Sequence, residues 1–126
     1  MHARNLDSLV SELYAALASG DEETLLALLH PAFVGHFAQG MPAGAGRADG
    51  APAARDHWWA IGAAYSARPI VEDVVPCVDG RLLVLGHYRG QRRSDGRALD
   101  AAFTHLWTAS DGRLTELRQL TDTALW

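Results

Sequence analysis

The sequence has no lysine and one cysteine. Without lysine there is no amine to form a Schiff base, so covalent pyridoxal phosphate linkage and lysine-based carbonyl chemistry are excluded. A single Cys77 excludes an internal disulfide and a cysteine-based zinc cluster. Its place in an apolar-rich segment predicts a buried thiol. No apolar run approaches the roughly 20 residues that cross a bilayer. The N-terminus lacks the apolar stretch of a secretory signal, so a cytoplasmic location is expected. Basic residues are few and scattered, and the formal net charge is −4. That balance argues against a phosphate-backbone partner, so neither nucleic acid nor membrane is expected. Three catalytic signatures are also missing: GxSxG, HExxH, and a glycine loop with phosphate-binding spacing.

What remains is the composition of one ordinary globular domain, residues 1–126. Leu6, Leu9, Val10, Leu13, Tyr14 and Leu17 recur at helical spacing, and Gly20 is placed to stop that helix. Asp21 is an N-cap candidate for a second helix carrying Leu25, Leu26, Leu28 and Leu29, which Pro31 should end. Residues 32–37 are predicted as a short strand. The Gly-, Ala- and Pro-rich segment 38–52 is predicted as a long loop, a candidate lid or rim. Helical spacing returns over residues 54–66. The pattern then changes to period two over 70–78, 81–91, 97–109 and 113–123. Turn signals at Asp79-Gly80, Ser94-Asp95-Gly96 and Asp111-Gly112 separate these strands. Helices followed by a meander predict an α+β fold, with three N-terminal helices covering a curved, mostly antiparallel sheet around an apolar pocket.

The most informative strand is 97–109. Alternation puts Leu99, Ala101, Phe103, His105 and Trp107 on one face, leaving His105 as the lone titratable group among rings. It reads either as a hydrogen-bonded core histidine or as a pocket acid or base. In the last strand Leu114 and Leu117 differ in parity, which calls for a bulge. Alternation therefore leaves open whether Gln119 or Asp122 points inward. Tyr14, Trp58 and Trp59 are core or pocket-wall candidates suited to a flat apolar ligand, and Tyr88 and His36 are further candidate contacts. His36, His87 and His105 could in principle supply three zinc ligands, but no tight ligand spacing supports them and no metal is expected.

This layout resembles the nuclear transport factor two-like superfamily, in its SnoaL-like and ketosteroid-isomerase-like branch. The resemblance rests on two helices joined at Ala18-Ser19-Gly20-Asp21, an aromatic third helix, and terminal hairpins. Within those hairpins the closest match is AFTHLWTASDGRLTELRQLTDT. The resemblance implies a cone-shaped fold, a pocket between helices and sheet, and a homodimer formed through the sheet. It further implies acid–base chemistry without a cofactor, of isomerase, cyclase or dehydratase type, on a hydrophobic cyclic or polyketide-like compound. His105 matches the strand histidine of SnoaL-like cyclases. Their carboxylate falls at Gln119, with Asp122 the nearest substitute. His105, Asp122 and Gln119 are thus the expected catalytic set, and Tyr14, His36, Trp58, Trp59, Tyr88, Phe103 and Trp107 the expected ligand contacts. Two alternatives stand beside this: a non-catalytic small-molecule-binding module, and an epoxide hydrolase, whose Arg-x-Asp motif occurs here only as Arg93-Ser94-Asp95 in a turn.

Overall fold

The computed structural model describes residues 5–126. Helix α1 spans Leu6–Ser19 and α2 spans Glu22–Leu28. The Asn5 side chain accepts from the Ser8 backbone N–H at 2.7 Å and caps α1. Gly20 closes it in the left-handed region at φ 68°, where a side chain would be strained. Asp21 caps α2 by accepting from Thr24 N–H. Strand β1 is Leu29–Phe37, β2 is Gly46–Asp49, and α3 is Ala51–Ala64. Strands β3 (Tyr65–Pro76), β4 (Leu82–Arg92), β5 (Ala98–Ser110) and β6 (Arg113–Thr121) complete the sheet, and Thr123–Leu125 form a single 3₁₀ turn.

The strand order is β2-β1-β6-β5-β4-β3. All pairings are antiparallel except β1 with β6. The helices lie on one face of this sheet. There Leu9, Leu13 and Leu25 meet Phe33, Trp107, Leu114 and Leu117, all essentially inaccessible to solvent. Burying each such side chain stabilises the fold by roughly 1.5–3 kcal/mol. Leu114 and Leu117 reach the same core because the β5–β6 register shifts between Thr108 and Ala109, opening a bulge that absorbs their difference in parity.

Five boundaries differ from the sequence reading, each for a local reason. Pro31 does not end α2. The helix stops at Leu28, and Pro31 sits inside β1 where the β1–β6 ladder is interrupted, so its missing N–H leaves no bond unmade. The predicted loop 38–52 contains β2, which pairs with β1, and α3 begins within it, with a proline in its first turn, a favoured position. Strand β3 begins at Tyr65, so Arg68 and Pro69 lie within it. Pro69 is tolerated because β3 is an edge strand. Cys77 lies past the end of β3 in a turn closed by Gly80 N–H to Cys77 O, and is half-buried rather than core. Strand β6 ends at Thr121, so Asp122 belongs to the turn after it.

Candidate active site

Between α1, α3 and the inner face of the sheet lies a cavity of about 130 Å³. One water needs only roughly 10–15 Å³ measured in this way, so the space can accept a ligand group. Aromatic rings dominate its wall: Tyr14 from α1, Trp58 and Trp59 from α3, Tyr65 from β3, Tyr88 from β4 and Trp107 from β5. Trp126 closes one side, with ring centroids 5.0 Å from Tyr65 and 4.9 Å from Tyr88 in edge-on contacts. Among the described residues no aspartate or glutamate lines it.

The polar centre of this wall is His105, only 5% exposed. The sheet register puts it between Val84 on β4 and Gln119 on β6, all three on the inner face. Phe103 stacks against the imidazole at 4.1 Å between centroids. Both ring nitrogens are engaged by tyrosines: Nδ1 lies 2.7 Å from Tyr14 Oη, and Nε2 lies 2.5 Å from Tyr88 Oη. The hydroxyls have further partners. Trp107 Nε1–H donates to Tyr14 Oη at 3.3 Å, and Gln119 Nε2–H donates to Tyr88 Oη at 2.8 Å. The Ala38 backbone N–H in turn donates to Gln119 Oε1 at 3.2 Å. A continuous chain of hydrogen bonds therefore runs from the backbone after β1 to a hydroxyl at the cavity wall.

Burial without a counter-charge sets the electrostatics. Desolvation pushes the His105 pKa down to about 3, so the ring is neutral at physiological pH. Burial likewise raises Tyr14 and Tyr88 above their ordinary values, opposed only in part by the hydrogen bonds from Trp107 and Gln119. Both hydroxyls hold their protons, so the inner wall offers hydrogen bonds, and among the described residues the one charged side chain lining the cavity is the exposed Arg68 of β3.

Residues 10–117 match the family model described as the SnoaL-like domain. The chain belongs to the SnoaL-like family. This SnoaL-like domain also has the fold of the nuclear transport factor two-like superfamily. An NTF2-like protein from Burkholderia thailandensis superposes with a TM-score of 0.83 at 24% identity, covering 97% of this chain and 94% of that one. An NTF2-like protein of unknown function from Burkholderia pseudomallei gives 0.82 at 26% identity, covering 94% and 91%. IdmH from Streptomyces antibioticus, an inferred polyketide cyclase, gives 0.79 at 23% identity, covering 94% and 93%. No curated protein matches.

Of the expected site residues, the SnoaL-like domain brings His105, Gln119, Tyr14, Trp58, Trp59, Tyr88 and Trp107 to one cavity. Three others lie elsewhere. Asp122 is exposed at the start of the last turn, because β6 has already ended and its backbone N–H is held by Ala102 O. His36 has the opposite parity to Phe33 and Phe37. It lies on the outer sheet face beside Glu116 at 3.2 Å. Phe103 supports His105 without lining the cavity. His87 is also on the outer face, between Asp100 at 2.7 Å and Glu72 at 3.2 Å. The three histidines thus share no site, and no cluster of metal-binding side chains occurs among the described residues. The reading missed Trp126 and Tyr65. Their signal was weak, since each lies at an element boundary where no periodicity marks a face.

Proposed function

We propose that this protein is an acid–base enzyme of isomerase, cyclase or dehydratase type acting on a hydrophobic cyclic or polyketide-like carbonyl compound. Tyr14 is the group that meets the substrate oxygen. One observation supports this above the others: Tyr14 lines an aromatic cavity, and its hydroxyl is backed by His105 and Trp107. A phenol so placed can hydrogen-bond a carbonyl oxygen and protonate the alkoxide or enolate that forms from it. Because no aspartate or glutamate among the described residues lines the cavity, the acidic C–H loses its proton without an Asp or Glu base. That favours substrates such as 1,3-dicarbonyls, which enolise readily. In the cyclase case the enol carbon attacks the polarised carbonyl carbon, a C–C bond forms, and the C=O electron pair moves to oxygen. That oxygen takes the Tyr14 proton, and the enol proton returns to Tyr14 through solvent. His105 acts through Tyr14, since both of its ring nitrogens are taken by tyrosine hydroxyls.

The test is turnover of a panel of aryl 1,3-diketones by wild type and Tyr14→Phe. Loss of about 10²-fold in kcat with KM little changed is expected for a general acid. Unchanged kcat would refute the assignment. The absent carboxylate also favours a second reading, a binding module that sequesters an apolar ketone. Saturable binding of the diketones with no turnover by either protein would establish that instead.

A second copy of the chain completes the reading, docked on the outer sheet face. Leu83, Leu85 and Leu106 are only partly covered there, and Leu120 is 67% exposed. Light scattering should give twice the 13.6 kDa chain mass, falling to one chain in Leu120→Arg. No helix among the described residues is long and apolar enough to cross a membrane, and such a substrate would be met in the cytoplasm.

A further inference from the structure

The hydrogen-bond chain around His105 has a direction, and the direction can be deduced. A backbone N–H only donates, so Ala38 N–H at 3.2 Å identifies the Gln119 atom facing it as oxygen. The other end of the amide must then be Nε2, which donates to Tyr88 Oη. Neutral His105 has one N–H and one bare nitrogen, which leaves two arrangements. If His105 Nε2 carried the proton, Tyr88 Oη would accept from both Gln119 and His105. Its own proton would then have no protein acceptor, and Tyr88, although it also lines the cavity, is buried at 9% exposure, whereas Tyr14 is only half-buried. If Nδ1 carries the proton, Tyr88 donates to Nε2 and is satisfied. Tyr14 Oη then accepts from both His105 Nδ1–H and Trp107 Nε1–H, and its proton is free at the cavity wall. An unpartnered donor is costlier the more deeply it is buried, and at the more open Tyr14 it can be met by water or ligand.

We propose that Gln119 is a positioning residue whose amide fixes the Nδ1–H tautomer of His105 and thereby makes Tyr14 a hydrogen-bond donor toward the ligand. The cavity then selects molecules presenting an acceptor oxygen, such as a ketone, enolate or phenolate, and disfavours those that can only donate. This rests on the functional reading above and names what orients its central group. It also gives the amide a role at a distance: Gln119 acts through Tyr88 and His105, two side chains away from Tyr14. A carboxylate at position 119 would reverse the chain. One oxygen would still accept from Ala38, but the other could only accept from Tyr88. His105 Nε2–H would then donate to Tyr88, Nδ1 would accept from Tyr14, and Tyr14 would lose its free proton.

The experiment is ¹⁵N NMR of histidine-labelled protein, since a protonated and a bare ring nitrogen resonate far apart. Wild type should show His105 protonated at Nδ1 and bare at Nε2. The opposite tautomer would overturn the proposal even if no variant folded. Gln119→Glu, at pH 8 and with its carboxylate infrared band present, should show protonation moved to Nε2. An unmoved tautomer in the ionised variant would also overturn it. The ligand probe is 1-tetralone, a flat ketone with an acceptor and no donor. Its bound carbonyl stretch should be lowered in wild type and relax in Gln119→Glu, with affinity about tenfold weaker. Should the tautomers behave as stated while tetralone shows no lowered stretch, the relay stands and the functional reading of Tyr14 fails.

Discussion

Lowering the pH from 7 to 5 should destabilise this protein through His105 alone by about 2 kcal/mol. The folded-state pKa of His105 is depressed to about 3 by burial, while the unfolded chain has the ordinary value near 6.5. Above about 6.5 both states are neutral at this site and the histidine makes no pH-dependent contribution. Below it the unfolded state takes up a proton that the folded state refuses, so stability falls as pH falls, by about 1.4 kcal/mol per unit. The fall continues until the folded pKa is reached. Between pH 7 and 5 the integrated loss is about 2 kcal/mol. The assay is urea unfolding of wild type and His105→Gln at both pH values. Gln does not titrate, and every other ionisable group is common to both proteins, so the difference in pH dependence isolates His105. With a urea slope of about 2 kcal/mol/M the wild-type midpoint should fall about 1 M further than the variant's. Parallel losses in the two proteins would mean that folded His105 takes up protons freely, and the neutral, tyrosine-bonded imidazole would be wrong.

Other perturbations test separate parts of the structure. Asp122→Asn should leave both turnover and stability unchanged, within about 0.5 kcal/mol, because the side chain is exposed and no side-chain hydrogen bond involves it; a large loss of turnover would return the carboxylate to the site. Phe33→Ala should cost about 3–5 kcal/mol in urea unfolding, since Phe33 is fully buried and packs near Trp58 and Trp107. Gly86→Ala should destabilise by at least about 1–3 kcal/mol, because its Cβ would lie 2.1 Å from Ile70 O and 2.9 Å from the Phe103 ring. A neutral outcome there would mean the β3–β4 edge is free to move away.

Much of the fold was legible because its signals are local. Period-three-to-four leucines in α1, the Gly20 stop and the Asp21 cap depend on residues within a few positions of one another, as do the Asp-Gly turns. Alternation in β5 likewise placed His105 and Trp107 correctly on the inner face. Where local patterns conflicted with distant pairing, the reading failed. The Gly-rich segment looked like a loop, yet β2 forms there because β1 supplies its hydrogen-bond partners. His36 had no visible face until β1 was placed beside β6.

The sequence by itself determined an α+β fold with a lone histidine among aromatic rings on one strand face, because periodicity is a property of neighbouring residues. It also ruled out lysine chemistry and an internal disulfide by composition alone. Only the tertiary structure decided that Gln119 rather than Asp122 faces the cavity, since that depends on a bulge and on where β6 stops pairing. It alone joined Ala38, Gln119, Tyr88, His105, Tyr14 and Trp107 into one chain of hydrogen bonds. Those residues are spread over most of the chain's length. Hydrogen bonds act over about 3 Å, and sequence separation carries no record of which distant groups are brought that close.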